Sequence, residues 1–321
     1  MKRILVIGIG VGVIAASYLA YTLYQNPSTE KQYGYWIDDQ GAQGHSLIIN
    51  PERAHQKEIR PFTQKLNQLI EQKIKKEKLA SKIAVHFRDL NNGPAFGVNN
   101  NEYFVPASLL KVPVLIGFLK QAESFPEIFE QKILFDSEKI QRPSEVVQNI
   151  APEKQLQNKR NYTVEQMLYY MIVYSDNRAI ELLGELNGEE YTQQVLDDLG
   201  IEIGQENDEL RITVRQYASF FRILYNASYL SPELSQKALY LLTLAQYKEG
   251  LLKHIPPDIQ VAHKFGEREI SEDRQLHDCG IVYYPKHPYL LCILTRGSDR
   301  ENLKKVIQDV SKFVFEQVSK N

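Results

Sequence analysis

Apolar and polar positions divide the chain into three unequal stretches. From Ile4 to Tyr24 no charged side chain interrupts an apolar run, and Lys2 and Arg3 stand just before it. About twenty apolar residues suffice to cross a bilayer as a helix. Positive charge on the near side orients such a helix with the following chain outside the cytoplasm. Ala15-Ala16-Ser17 offers a competing reading, a small-residue cleavage site after a secretory signal. Leu19, Tyr21, Leu23 and Tyr24 carry the run past that site, which favours an uncleaved anchor over residues 1–24. Residues 25–58 are polar and irregular and are expected to form a stalk.

Residues 59–321 hold the periodic patterns of a folded domain. Leu66, Leu69, Ile70, Ile74 and Leu79 recur at helical spacing, so Pro61 to Leu79 is expected as an amphipathic helix. Two strand-like runs follow, Lys82 to Asp89 and Pro94 to Val98, around the hairpin signal Asn91-Asn92-Gly93. From Glu102 to Leu252 the period is mainly helical. Thr163-Val-Glu-Gln166 has the form of a capping box, and Ser231-Pro232 opens another helix. After Pro256-Pro257, strands are expected at Val261 to Gly266, Gly280 to Tyr284 and Tyr289 to Leu294, then a helix from Glu301 to Val318. This order predicts an α+β fold. One antiparallel sheet is built from both chain ends, with the terminal helices on one face and an all-helical middle subdomain on the other.

Charge and cysteine content narrow the function classes. The net charge of −2 gives no whole-chain attraction to nucleic acid. Lys73, Lys75, Lys76 and Lys78 read as the solvated face of the first helix. The two cysteines, Cys279 and Cys292, flank an expected hairpin and have no histidine at metal-ligand spacing, so neither a metal nor a cofactor is expected. Buried free thiols are the default for them, with one disulfide open in an oxidising compartment.

Candidate chemistry lies in three short motifs. Ser108 and Lys111 stand three residues apart at the start of the apolar segment "ASLLKVPVLIGFL", which places them on one helical face. A helix start supplies free N–H groups for a developing oxyanion. The same spacing at Ser28 and Lys31 falls in the polar stalk and lacks that setting. Taken alone, Ser108 and Lys111 read more readily as a capping serine and a snorkelling lysine. Ser175-Asp176-Asn177 follows the capped helix where the chain breaks. Lys264-Phe265-Gly266 lies on an expected strand, unlike Lys248-Glu-Gly250 at a helix end.

In this order, Ser-x-x-Lys, Ser-Asp-Asn and Lys-x-Gly resemble the three motifs of class A β-lactamases and related penicillin-binding enzymes. The surrounding segments, "FVPASLLKVPVL", "YTVEQMLYYMIVYSDNRAIELL" and "HDCGIVYYPKHPYLLCILT", are similar as well, and the resemblance extends from about Leu79 to the C-terminus. It implies the β-lactamase/transpeptidase-like fold and an acyl-enzyme mechanism. Ser108 is then the nucleophile and Lys111 the base, active only when neutral. Burial and the positive charge of Lys264 would lower the pKa of Lys111, and Ser175 bridges the two lysines and relays the proton to the leaving nitrogen. Asn177 holds the substrate's amide side chain. The backbone N–H groups of Ser108 and Glu267, the latter just after Gly266, form the oxyanion hole.

Two departures qualify the resemblance. Phe265 stands where the family carries a hydroxyl that binds the substrate carboxylate, so either Arg268 or Lys264 takes that task or the substrate lacks a carboxylate there. The family's hydrolytic glutamate, in a loop between the second and third motifs, has no counterpart in the short Gly200–Thr213 connection. Glu206 and Glu209 are its only substitutes there, and both read as surface acids. The expected function is therefore a monomeric, membrane-tethered serine hydrolase that opens β-lactam rings and deacylates slowly. A D,D-peptidase acting on peptidoglycan stem peptides and a non-catalytic cell-wall binding module are the alternatives.

Overall fold

The computed structural model describes residues 63–91, 95–139, 149–206, 209–270 and 273–320. The expected anchor, the stalk and the Asn92-Gly93 turn lie outside the described residues. Among those described, no helix is long and apolar enough to cross a membrane.

The sheet assembles as the pattern predicts. β1 (Lys82–Asp89) and β2 (Ala95–Val98) come from the N-terminal side, and β8 (Val261–Ile270), β9 (Asp273–Val282) and β10 (Tyr289–Gly297) from the C-terminal side. Their order is β2-β1-β10-β9-β8, with every neighbouring pair antiparallel. The pleat sends alternate residues of β1 to opposite faces. Ile83, Val85 and Phe87 meet Leu66 and Ile70 of α1 (Thr63–Glu71) and Val306 and Val310 of a C-terminal helix, Arg300–Val318. Ala84, with Ile281, Cys292 and Leu294, joins the core of the helical middle. Each large apolar side chain contributes about 1.5–3 kcal/mol when fully buried.

The helical middle surrounds α2 (Lys111–Ala122), which is buried on nearly every side. A helix apolar all round belongs in a core. Pro113 is tolerated because the N–H groups of a first turn have no helical partner. α3 (Val164–Val173), α4 (Asn177–Gly184), α5 (Gly188–Asp198), α6 (Val214–Tyr225), α7 (Pro232–Thr243) and α8 (Arg300–Val318) follow in order. Thr163 and Gln166 form the expected capping box at α3, and Ser231 caps α7.

Several details depart from the sequence expectation. The first helix stops being α-helical at Glu71 and finishes as a π turn, Gln72–Lys76, within which Lys73 is buried against Asp309 and Glu77 rather than solvated. The Gly200–Thr213 connection contains two strands, β6 (Gly204–Glu206) and β7 (Glu209–Thr213), the latter also pairing with β3 (Tyr103–Phe104). A further small pair, β4 (Lys132–Phe135) and β5 (Arg160–Thr163), interrupts the helical middle. Cys279 and Cys292 are directly opposite on β9 and β10 and are joined as a disulfide, in place of the free thiols expected by default.

Candidate active site

Ser108 sits in a 3-10 turn, Ala107–Leu110, that leads straight into α2. It is partly accessible, whereas Lys111 is buried. Ala107 before it has φ of 49° and Ser175 has φ of 56°, the left-handed region that non-glycine residues avoid. Such positions cost about 1–3 kcal/mol and persist where surrounding contacts fix them. Both of these belong to segments singled out by motif.

The second segment is held from below. Asp176, fully buried, caps α4 by accepting from the Arg178 backbone N–H at 3.1 Å, and it also accepts from that of Leu156 at 2.7 Å. This fixes the break between α3 and α4, so that Ser175 and Asn177 face the start of α2. Lys111 Nζ donates to the Ser175 carbonyl at 2.6 Å, to Ser175 Oγ at 3.2 Å and to Asn177 Oδ1 at 2.7 Å.

The third segment closes the cluster. Lys264 Nζ donates to Ser175 Oγ at 2.8 Å and to its neighbour's carbonyl, that of Phe265, at 3.0 Å. Gly266 lets β8 pass the nucleophile turn. A Cβ there would lie 2.7 Å from the Pro106 carbonyl oxygen and 2.9 Å from Leu109 Cγ, so no side chain fits. β8 is an edge strand, and about half the N–H groups of such a strand are not used by its neighbour. This close approach sets the Glu267 backbone next to the turn that carries Ser108, the neighbourhood in which the expected oxyanion hole would form.

Electrostatics follow from this burial. Desolvation pushes the Lys111 pKa down to about 7, opposed by the charges of Asp176, Glu181 and Glu267. Lys264 is held well below the ordinary lysine range, first by burial and then by the charge of Lys111. Two buried amines that share one hydroxyl do not both keep a proton at little cost. Burial, expected together with the charge of Lys264, is the cause that lowers the Lys111 pKa.

Not every expected residue joins the cluster. Arg268 is engaged by neighbouring strand residues: its guanidinium donates to Glu209 at 2.6 Å and to Asp273 at 2.8 Å. Glu209 is thus an ion-paired strand residue, with Arg211 on its other oxygen at 3.4 Å, and not a free loop acid. The side chain of Glu206 lies outside the described residues. Phe265 is buried, stacked on Tyr247 at 4.3 Å between ring centres, with Lys264 Nζ over its ring at 4.3 Å. The Glu267 side chain, of which the sequence reading used only the backbone, is buried with its pKa raised by desolvation, and it accepts from the Ile150 N–H at 2.7 Å. Arg300, at the start of α8, lies 3.8 Å from the same carboxylate. Tyr247 and Arg300 carry no motif, so only the fold could place them.

Comparison with known proteins agrees with this fold. The family model for the β-lactamase enzyme family matches residues 61–318. β-Lactamase VEB-1 of Pseudomonas aeruginosa is 22% identical over 258 residues, which cover 73% of this chain and 85% of that protein. Among solved structures, a mutant of PBP-A in an acyl-enzyme complex with penicillin G matches with a TM-score of 0.68 at 21% identity, covering 83% of this chain and 100% of that one. A representative of class A β-lactamase from Bacteroides cellulosilyticus matches with a TM-score of 0.69 at 17% identity, covering 82% and 100%. A serine, two lysines of lowered pKa and a bridging hydroxyl, set on this sheet and matched across most of its length, make the chain a serine hydrolase of the β-lactamase enzyme family.

Proposed function

We propose that the chain opens β-lactam rings through an acyl-enzyme on Ser108, held outside the cytoplasm by residues 1–24, and that it deacylates slowly. Neutral Lys111 takes the Ser108 proton as Oγ attacks the ring carbonyl carbon. The oxyanion lies between the backbone N–H groups of Ser108 and Glu267, where losing one donor costs about 3–4 kcal/mol. The ring C–N bond breaks, and the leaving nitrogen takes its proton through Ser175 Oγ, which both lysines reach. Asn177 binds the substrate's amide. The observation that carries this reading is the Lys111 amine: it is buried on three acceptors, has its pKa lowered to about 7, and follows directly on the turn that bears the nucleophile. Mass spectrometry after benzylpenicillin treatment tests it: one adduct is expected, on the peptide that contains Ser108.

A D,D-peptidase acting on peptidoglycan stem peptides is the second reading. It is favoured by the strands that replace a glutamate-bearing loop and by the tie between Glu209 and Arg268, which leave hydrolysis of a β-lactam adduct without an evident base. The solved acyl-enzyme of the PBP-A mutant is a similar fold in complex with penicillin G. Release of D-alanine from an acyl-D-alanyl-D-alanine peptide at a rate exceeding β-lactam turnover would select this reading, and absence of any adduct would leave a non-catalytic binding module.

A further inference from the structure

Along β8 the cations nearest the site are already engaged. Lys264 Nζ donates to Ser175 Oγ at 2.8 Å and to the Phe265 carbonyl at 3.0 Å, and it lies over the Phe265 ring at 4.3 Å. An ammonium has three N–H donors and a neutral amine two. In either state these partners take up what Lys264 has to give. Arg268, two residues past Gly266, is bound to Glu209 and Asp273. Arg300, at the start of α8, lies between two carboxylates, 3.8 Å from Glu267 Oε2 and 3.9 Å from Glu301 Oε1.

Negative charge stands in the same place. Glu267 immediately follows Gly266, where β8 lies against the turn that bears Ser108. Its carboxylate is buried: Oε1 accepts from the Ile150 N–H at 2.7 Å, and Oε2 accepts no hydrogen bond among the described residues. The charge of Glu267 acts on both Lys111 and Lys264, so it is felt where the acyl group is transferred. Phe265, between Lys264 and Gly266, offers a ring stacked on Tyr247 and no hydroxyl. A carboxylate brought here would meet three cations already paired and a buried like charge, an arrangement that rejects it.

We propose that the preferred acyl donor is uncharged beside its scissile nitrogen, a lactam or amide whose leaving side bears a carboxamide or an ester where an acid could stand, and that the Glu267 side chain disfavours the acid. The assignment rests on the acyl-enzyme reading above. It makes the β8 wall a filter on the leaving side, while Ser108, Lys111 and Ser175 carry out the same transfer. A peptide that ends in a free carboxylate next to the scissile bond meets the same barrier, and one whose chain continues or is amidated does not.

Benzylpenicillin and its carboxamide, nearly isosteric and different by one charge, test this. Second-order acylation rates are read by mass spectrometry in the unaltered protein. The carboxamide is expected to acylate about tenfold faster than the acid, a factor within reach of like-charge repulsion at a desolvated site. In Glu267→Gln, which keeps the backbone N–H and the side-chain shape, the ratio should fall toward one. An acid that reacts as fast as the carboxamide or faster in the unaltered protein, or a preference that survives Glu267→Gln, would overturn the inference while leaving Ser108 acylation standing. No adduct with either compound would overturn both.

Discussion

The two sides of the cleft are built on opposite terms. On one side Lys111, Ser175 and Lys264 are almost wholly buried and bonded to one another. On the other, between Gly200 and Thr213, the short strand β7 stands in partial solvent, and its acid Glu209 is taken up by arginines. Acylation needs amines stripped of water, which a dry core supplies. Hydrolysis needs an ordered water with a base beside it, and the exposed side offers no such base among its described strand residues. Under the proposed function, the contrast predicts a fast first half-reaction and a slow second one.

The hardest way to break that contrast is to remove the nucleophile. Ser108→Ala should abolish the penicillin adduct, while Ser28→Ala should change nothing; a persistent adduct would place the chemistry elsewhere. Next, Lys111→Ala should slow acylation by about 10²–10⁴-fold. Lys111→Arg should not rescue it, since a guanidinium keeps its proton. The base acts when deprotonated and its pKa is about 7, so acylation should rise with pH through that value and level off above it. A rate that falls over this range would exclude Lys111. Stopped-flow assay with a chromogenic β-lactam should then show a burst near one equivalent followed by slow turnover. Glu209→Gln should leave the slow phase nearly unchanged, and loss of that phase in Glu181→Gln would move the hydrolytic base onto α4. The smallest effect concerns stability. A Cβ on Gly184 meets nothing within 4 Å, so Gly184→Ala should raise unfolding free energy by about 0.4–1 kcal/mol, read from the denaturant midpoint.

Much of this was legible before any coordinate. Alternating apolar residues in β1 and the unbroken apolar run in β10 signal a sheet covered on both faces, and the capping box at Thr163 starts α3 where it should. Lys111, Ser175 and Lys264 converge because their motifs sit where elements begin, break or pass closely, and Ser108 stands on the turn that leads into Lys111. What stayed hidden depends on tertiary partners. β8 runs past Gly266, and β9 begins before Gly280, through charged residues held by Arg274 on Glu269 and Arg268 on Asp273. Hydrophobic periodicity cannot see strands maintained by ion pairs. The same ion pairs engage Arg268 with Glu209 and Asp273, which its position next to the third motif did not foretell. β7 carried a period-two signal in Leu210 and Ile212, too short to separate from a connection. Lys73 lost its expected exposure because Asp309, more than 230 residues later, lies beside it.

The strand order has a consequence for how the molecule comes into being. β1, among the first segments of the domain to be made, has β10, among the last, as its inner neighbour. Contacts so distant in sequence form late and slow folding. A nascent chain therefore holds Ser108, Lys111 and Ser175 long before it holds the strand that carries Lys264 or the one that closes the sheet. Until β10 is made, β1 lacks its inner neighbour, and until β8 is made the Lys264 amine has not joined Lys111 at the Ser175 hydroxyl.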